Sequence, residues 1–136
     1  MMSIGPIPEP TPETAPFWQG AAEGELRIQR CVRCESFYFY PRPFCPKCNS
    51  DEVEWKPVSG RARLASYIIN YRPSPEFESK DPQIIALVTL EEGPRLCTNI
   101  VGVEPEPDNL PLGMELQVAF EPRGDQFLPV FKPVRI

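Results

Sequence analysis

The sequence predicts a mainly β protein with one short helix near its N-terminal end. Three observations carry that expectation. Nineteen of the 136 residues are proline; proline breaks helices and central strands, so loops and short strands should dominate. Two Cys-x-x-Cys pairs, separated by ten residues, sit in the first half, where each pair marks a tight turn. From Gly60 onward, β-rich runs alternate with Gly and Pro punctuation, the pattern of several short strands.

Residues 1–12 read as an extended arm. Pro6, Pro8, Pro10 and Pro12 alternate with other residues, which favours a polyproline-like path. A helix follows, with Thr14 as the expected N-cap, Pro16 tolerated in its first turn and Gly24 ending it. Phe17 and Ala21 share one face at i, i+4, with Trp18 and Ala22 beside them. Residues 25–30 alternate Leu26 and Ile28 with Arg27 and Gln29, as a strand does, and lead into the first cysteine pair. Residues 53–58 return as another strand after the second pair.

Five further strands are expected at residues 61–71, 83–90, 95–101, 114–121 and 127–133. Residues 83–90 are nearly continuously apolar, as in a strand buried on both faces. Residues 114–121 alternate Leu116, Val118 and Phe120 with Glu115, Gln117 and Ala119. Five strands at this spacing suit a small Greek-key barrel of the OB type, with residues 73–82 and 105–111 as its long loops. The expected division is an arm and helix over 1–24, a cysteine ribbon over 25–58 and an OB-fold over 59–136.

Cys31-Val32-Arg33-Cys34 and Cys45-Pro46-Lys47-Cys48 supply what a tetrahedral Cys₄ site requires. Each turn aims two sulfurs at one point, and a hairpin brings the turns together. Disulfides would need an oxidising compartment. A thioredoxin-like role would need a βαβ pattern around one pair. Iron takes the same ligands in a rubredoxin-like site, and the Cys-Pro-x-Cys half fits it. Thiolate softness and ribbon spacing favour one structural zinc ion. Four protein sulfurs leave no open position for substrate.

The net charge of -5 argues against a general nucleic-acid binder, which needs excess Lys and Arg. A zinc-ribbon and OB-fold module for nucleic acid remains the alternative class. No apolar run approaches a membrane span, and a cytoplasmic protein is expected. The chain has no histidine, which removes the Ser-His-Asp triad, the Cys-His pair and the commonest general base.

Other residues carry two readings each. Cys97 lies in an apolar run and reads as a buried small hydrophobe before a nucleophile. Arg27, Arg30, Arg33, Arg42 and Lys47 cluster near the cysteines; they form a phosphate or acidic-partner site, or they offset a tetrathiolate and are solvated. In Phe37-Tyr38-Phe39-Tyr40, alternate members face opposite sides, one pair packing inward and the other open to a partner. Phe17 and Trp18 either dock on their own chain or serve a partner.

One order of residues is distinctive: Ala15-Pro16-Phe17-Trp18, Gly24-Glu25-Leu26, Gln29-Arg30-Cys31-Val32-Arg33-Cys34, Tyr40-Pro41-Arg42, Cys45-Pro46-Lys47-Cys48, Gly60-Arg61-Ala62 and Leu112-Gly113-Met114. It resembles the family of acyl-CoA-associated proteins with an N-terminal rubredoxin-like zinc ribbon and a C-terminal OB-fold, over almost the whole chain. The resemblance implies an accessory subunit of a thiolase-like enzyme, such as a ketoacyl-CoA thiolase or a steroid side-chain aldolase. It implies zinc on Cys31, Cys34, Cys45 and Cys48, and no catalytic residue. It also implies an acyl-CoA held at the shared interface. Phe17, Trp18, Tyr38, Tyr40 and Arg42 are the expected contacts to partner or CoA.

Overall fold

The computed structural model describes residues 7–75, 77 and 81–134. Residues 1–6, half of the extended arm expected over residues 1–12, lie outside them, and residues 7–11 form neither helix nor strand. Helix α1 (Ala15–Ala22) buries Phe17, Gly20 and Ala21, the face expected from the i, i+4 pair. Gly24 takes φ +79°, a left-handed turn open to glycine, and ends the helix. Thr14 holds the N-cap position without capping. Its backbone is already helical, at φ -102° and ψ -4°, which turns the hydroxyl away from the first amides. The hydroxyl meets Thr11 Oγ1 at 3.0 Å instead.

The ribbon is a three-stranded antiparallel sheet of β1 (Leu26–Cys31), β2 (Phe37–Tyr38) and β3 (Val53–Val58), in the order β2-β1-β3. The barrel strands are β4 (Arg61–Asn70), β5 (Gln83–Leu90), β6 (Arg95–Ile100), β7 (Glu115–Arg123) and β8 (Gln126–Pro133). They close in the order β4-β5-β6-β8-β7, with β6 parallel to β8 where Ile100 faces Phe131. This is the OB-fold. No helix among the described residues is long and apolar enough to cross a membrane.

One core serves all three parts. Phe17 of α1, with Leu26 and Ile28 of β1, packs with Leu64, Val88, Leu116 and Phe131 of the barrel. The alternation read in β1 has this purpose: its apolar face lies toward the helix and barrel. Helix α1 contacts β1 and β8 together, wedging ribbon against barrel.

Two strand expectations need correction. β5 is not buried on both faces. Ile84, Ala86, Val88 and Leu90 are buried, whereas Leu87 is 38% exposed. A barrel wall covers only its inner side, and apolar composition does not report which side that is. Cys97 is exposed rather than buried. In β6 the inward positions are Leu96, Thr98 and Ile100, so Cys97 falls on the outer face.

Gly60 joins ribbon to barrel with φ +77°. A Cβ there would stand 2.3 Å from Val118 Cγ1, while the Gly60 carbonyl accepts the Val118 amide at 2.8 Å. Gly60→Ala should therefore destabilise by about 2–3 kcal/mol, combining backbone strain and overpacking. Urea denaturation of both proteins checks it.

Candidate metal centre

The four cysteines lie on two loops built alike. In the first, the Cys31 amide donates to the Ser36 carbonyl at 2.9 Å and the Glu35 amide to the Cys31 carbonyl at 2.9 Å. In the second, the Cys45 amide donates to Ser50 at 2.8 Å and the Asn49 amide to Cys45 at 2.9 Å. Each loop turns through a left-handed residue, Glu35 at φ 60° and Asn49 at φ 64°. The sequence carries the signal for this equivalence, Cys-x-x-Cys-x-Ser in both loops, which reading the cysteines alone overlooks.

Amides also converge on sulfur. The Cys34 amide donates to Cys31 Sγ at 3.4 Å; those of Lys47 and Cys48 donate to Cys45 Sγ at 3.3 and 3.4 Å. Such donors stabilise thiolate over thiol. All four sulfurs lie within 4.8 Å of one another. Cys31 and Cys48 are 3.5 Å apart and Cys34 and Cys45 3.6 Å apart. A tetrahedral ion with sulfur at about 2.3 Å needs sulfur–sulfur edges of about 3.8 Å. The site fits one metal ion held by Cys31, Cys34, Cys45 and Cys48.

Without a cation Cys34 and Cys48 do not ionise together. Hydrogen bonding to Ser36, hydroxyl and amide, pulls Cys34 down to about 6. Cys48 is pushed up to about 12: the Ser50 amide favours its thiolate, but the neighbouring thiols and burial outweigh that. A divalent cation removes the mutual repulsion, so all four can bind as thiolates.

The arginines near the site are engaged by carboxylates. Arg27 meets Glu23 and Glu25 at 2.9 and 2.8 Å, Arg30 meets Glu35 and Glu54 at 2.9 and 3.3 Å, and Arg33 lies 3.7 Å from Glu52. Arg42 and Lys47 are exposed. The five cations therefore do not form one phosphate site.

The expected contact residues divide by burial. Phe17 and Tyr38 are buried within this chain. The Phe17 ring meets Trp18 edge-on at 4.9 Å and Phe39 at a tilt at 5.5 Å. The Tyr38 hydroxyl donates to the Arg42 carbonyl at 2.8 Å, and the Arg42 amide donates to Gln29 Oε1 at 2.7 Å. Trp18 is half-buried, and Tyr40 is 51% exposed.

Comparison with known proteins follows the same two parts. The family described as "ChsH2, rubredoxin-like zinc ribbon domain" matches residues 18–54. That described as "ChsH2, C-terminal OB-fold domain" matches residues 55–121. A solved chain of an Ltp2-ChsH2(DUF35) aldolase superposes with TM-score 0.80 at 35% identity, covering 93% of this chain and 98% of that one. The chain belongs to the ChsH2/DUF35 family. One ChsH2/DUF35 relative is a "Probable enoyl-CoA hydratase alpha subunit" of Thermomonospora curvata, 35% identical over 96% of this chain. The chain spans 40% of that relative's length. Another is a "DUF35 domain-containing scaffold protein" of Methanothermobacter thermautotrophicus, 32% identical over 79% of this chain and 81% of the relative.

Proposed function

We propose that the chain is a non-catalytic accessory subunit of a thiolase-like enzyme acting on acyl-CoA thioesters. The observation that carries this reading is the likeness to the ChsH2 chain of an Ltp2-ChsH2(DUF35) aldolase, which extends over 98% of that chain at 35% identity. The relatives named as a hydratase subunit and as a scaffold support a part that works by association. The chemistry of the chain agrees. There is no histidine, and a Cys₄ ion keeps no open position for substrate.

Zinc is the ion we assign to Cys31, Cys34, Cys45 and Cys48. Thiolate ligands select soft ions, and the ion supplies a cross-link between two loops that have little core of their own. The ribbon then holds Tyr40 against the barrel, its hydroxyl accepting the Cys97 amide. The role is indirect: the rigid barrel completes or braces the active site of the enzyme subunit and helps hold the CoA moiety. The acyl group we expect is a steroid side chain or another lipid-derived chain, in the cytoplasm, where thiols stay reduced.

Turnover separates the possibilities. Acyl-CoA cleavage should be absent with the purified chain, weak with the enzyme subunit alone and restored by mixing. Robust turnover by the chain alone would overturn the reading.

A further inference from the structure

We infer that the outer face of β4, β5 and β6, extended by Tyr40, is the surface that docks onto the enzyme subunit, an assignment that rests on the accessory-subunit reading. The starting point is a mismatch in β5. Its inner residues Ile84, Ala86, Val88 and Leu90 fill the barrel, yet Ile85 and Leu87 between them are also apolar. A strand with two apolar faces is suited to being covered twice. The barrel covers it once.

Strand register extends the patch. Ile85 stands directly opposite Ile68 of β4, which is 61% exposed. Leu87 stands opposite Cys97 of β6, also exposed. Directly opposed side chains lie about 5 Å apart, so these four make one continuous area. Tyr40 adjoins it from the ribbon, its hydroxyl accepting the Cys97 amide at 3.3 Å. An occupant of this face would therefore touch ribbon and barrel together.

Charge indicates what covers it. Arg95 lies at the hairpin end of the face, opposite Thr89, and Arg63 lies across Thr89 on β4. Arg63 is met by Glu115 at 3.3 Å. Arg61 and Arg95 are exposed and have no carboxylate partner among the described residues. The fitting occupant is a folded protein surface with an apolar centre and carboxylates at its edge. A second copy would present the same arginine-edged face rather than the carboxylates that complement it. Nucleic acid would need a cationic groove with stacked aromatics, and this chain carries a net charge of -5.

The test uses the metal-loaded chain titrated with the thiolase-like subunit that co-purifies with it. Leu87→Glu and Ile68→Glu change exposed positions, and Ile7→Glu, 56% exposed beside the Gly124 turn between β7 and β8, is the control. Metal content and circular dichroism report that each variant is folded. Both patch variants should bind about 100-fold more weakly, as loss of an interface centre does, with the control unchanged. Maleimide labelling of Cys97 should slow in the complex. Equal binding by all variants, with Cys97 labelled as fast in the complex as in the free chain, would overturn the face and leave the accessory role standing. Absence of any thiolase-like subunit would overturn both. A wild-type dimer that Leu87→Glu dissociates would give the face to a second copy. Binding of an oligodeoxythymidine probe, abolished by Arg95→Ala, would give it to nucleic acid. Either result overturns the proposal.

Discussion

Cys45→Ser is expected to release the metal and unfold the ribbon, at a cost above about 4 kcal/mol. Cys45 is 1% exposed, and its sulfur receives two amides, from Lys47 and Cys48. Serine is a poor ligand for a soft-ligand site, and a three-sulfur set cannot close the tetrahedron. The damage should spread beyond the loops, because Leu26 and Ile28 of the same ribbon belong to the shared core. Elemental analysis and thermal melting of the wild-type and variant chains check this. A variant with one ion per chain and native melting would mean that the sulfurs are not the ligands.

Phe131→Ala should cost about 3–5 kcal/mol, the range for removing a buried aromatic ring. Phe131 is 0% exposed and sits at the seam where β8 runs parallel to β6. Its carbonyl also accepts the Val101 amide at 2.8 Å. The substitution leaves the backbone bond but empties the barrel beside the closure, and little around it can collapse inward. Guanidinium denaturation, with metal content measured in parallel, separates this effect from loss of the ribbon. The variant should keep its ion and lose barrel stability.

Much of the fold was legible because local chemistry and tertiary demand agree. Pro16 and Gly24 bracket α1, and the helix has those bounds because both residues do what their backbones favour. The alternation of Leu26 and Ile28 with Arg27 and Gln29 reports the stripe that β1 turns toward the core, but not that Gln29 and Cys31 are buried on the other face, under the metal loops. The cysteine spacing is readable because the geometry of a Cys₄ site admits few alternatives. Where the sequence misleads, composition hides direction. β5 is apolar on both sides, so nothing in its own residues tells Val88, fully inside, from Leu87, facing out. Cys97 inherits the same ambiguity from its apolar neighbours. Thr14 suits a cap, yet the preceding turn sets its backbone and the hydroxyl goes to Thr11. The arginines near the ribbon look like a cluster in sequence, but the sheet register brings Glu54 beside Arg30, and such pairings are not visible along the chain.

The central claim is that this chain works as a subunit. The most direct measurement is a tagged pull-down from the native host under gentle salt, with mass spectrometry of the bound proteins and zinc analysis of the eluate. The account predicts a stoichiometric thiolase-like protein alongside a zinc-loaded chain. Recovery of the chain alone, with its zinc retained, would contradict it.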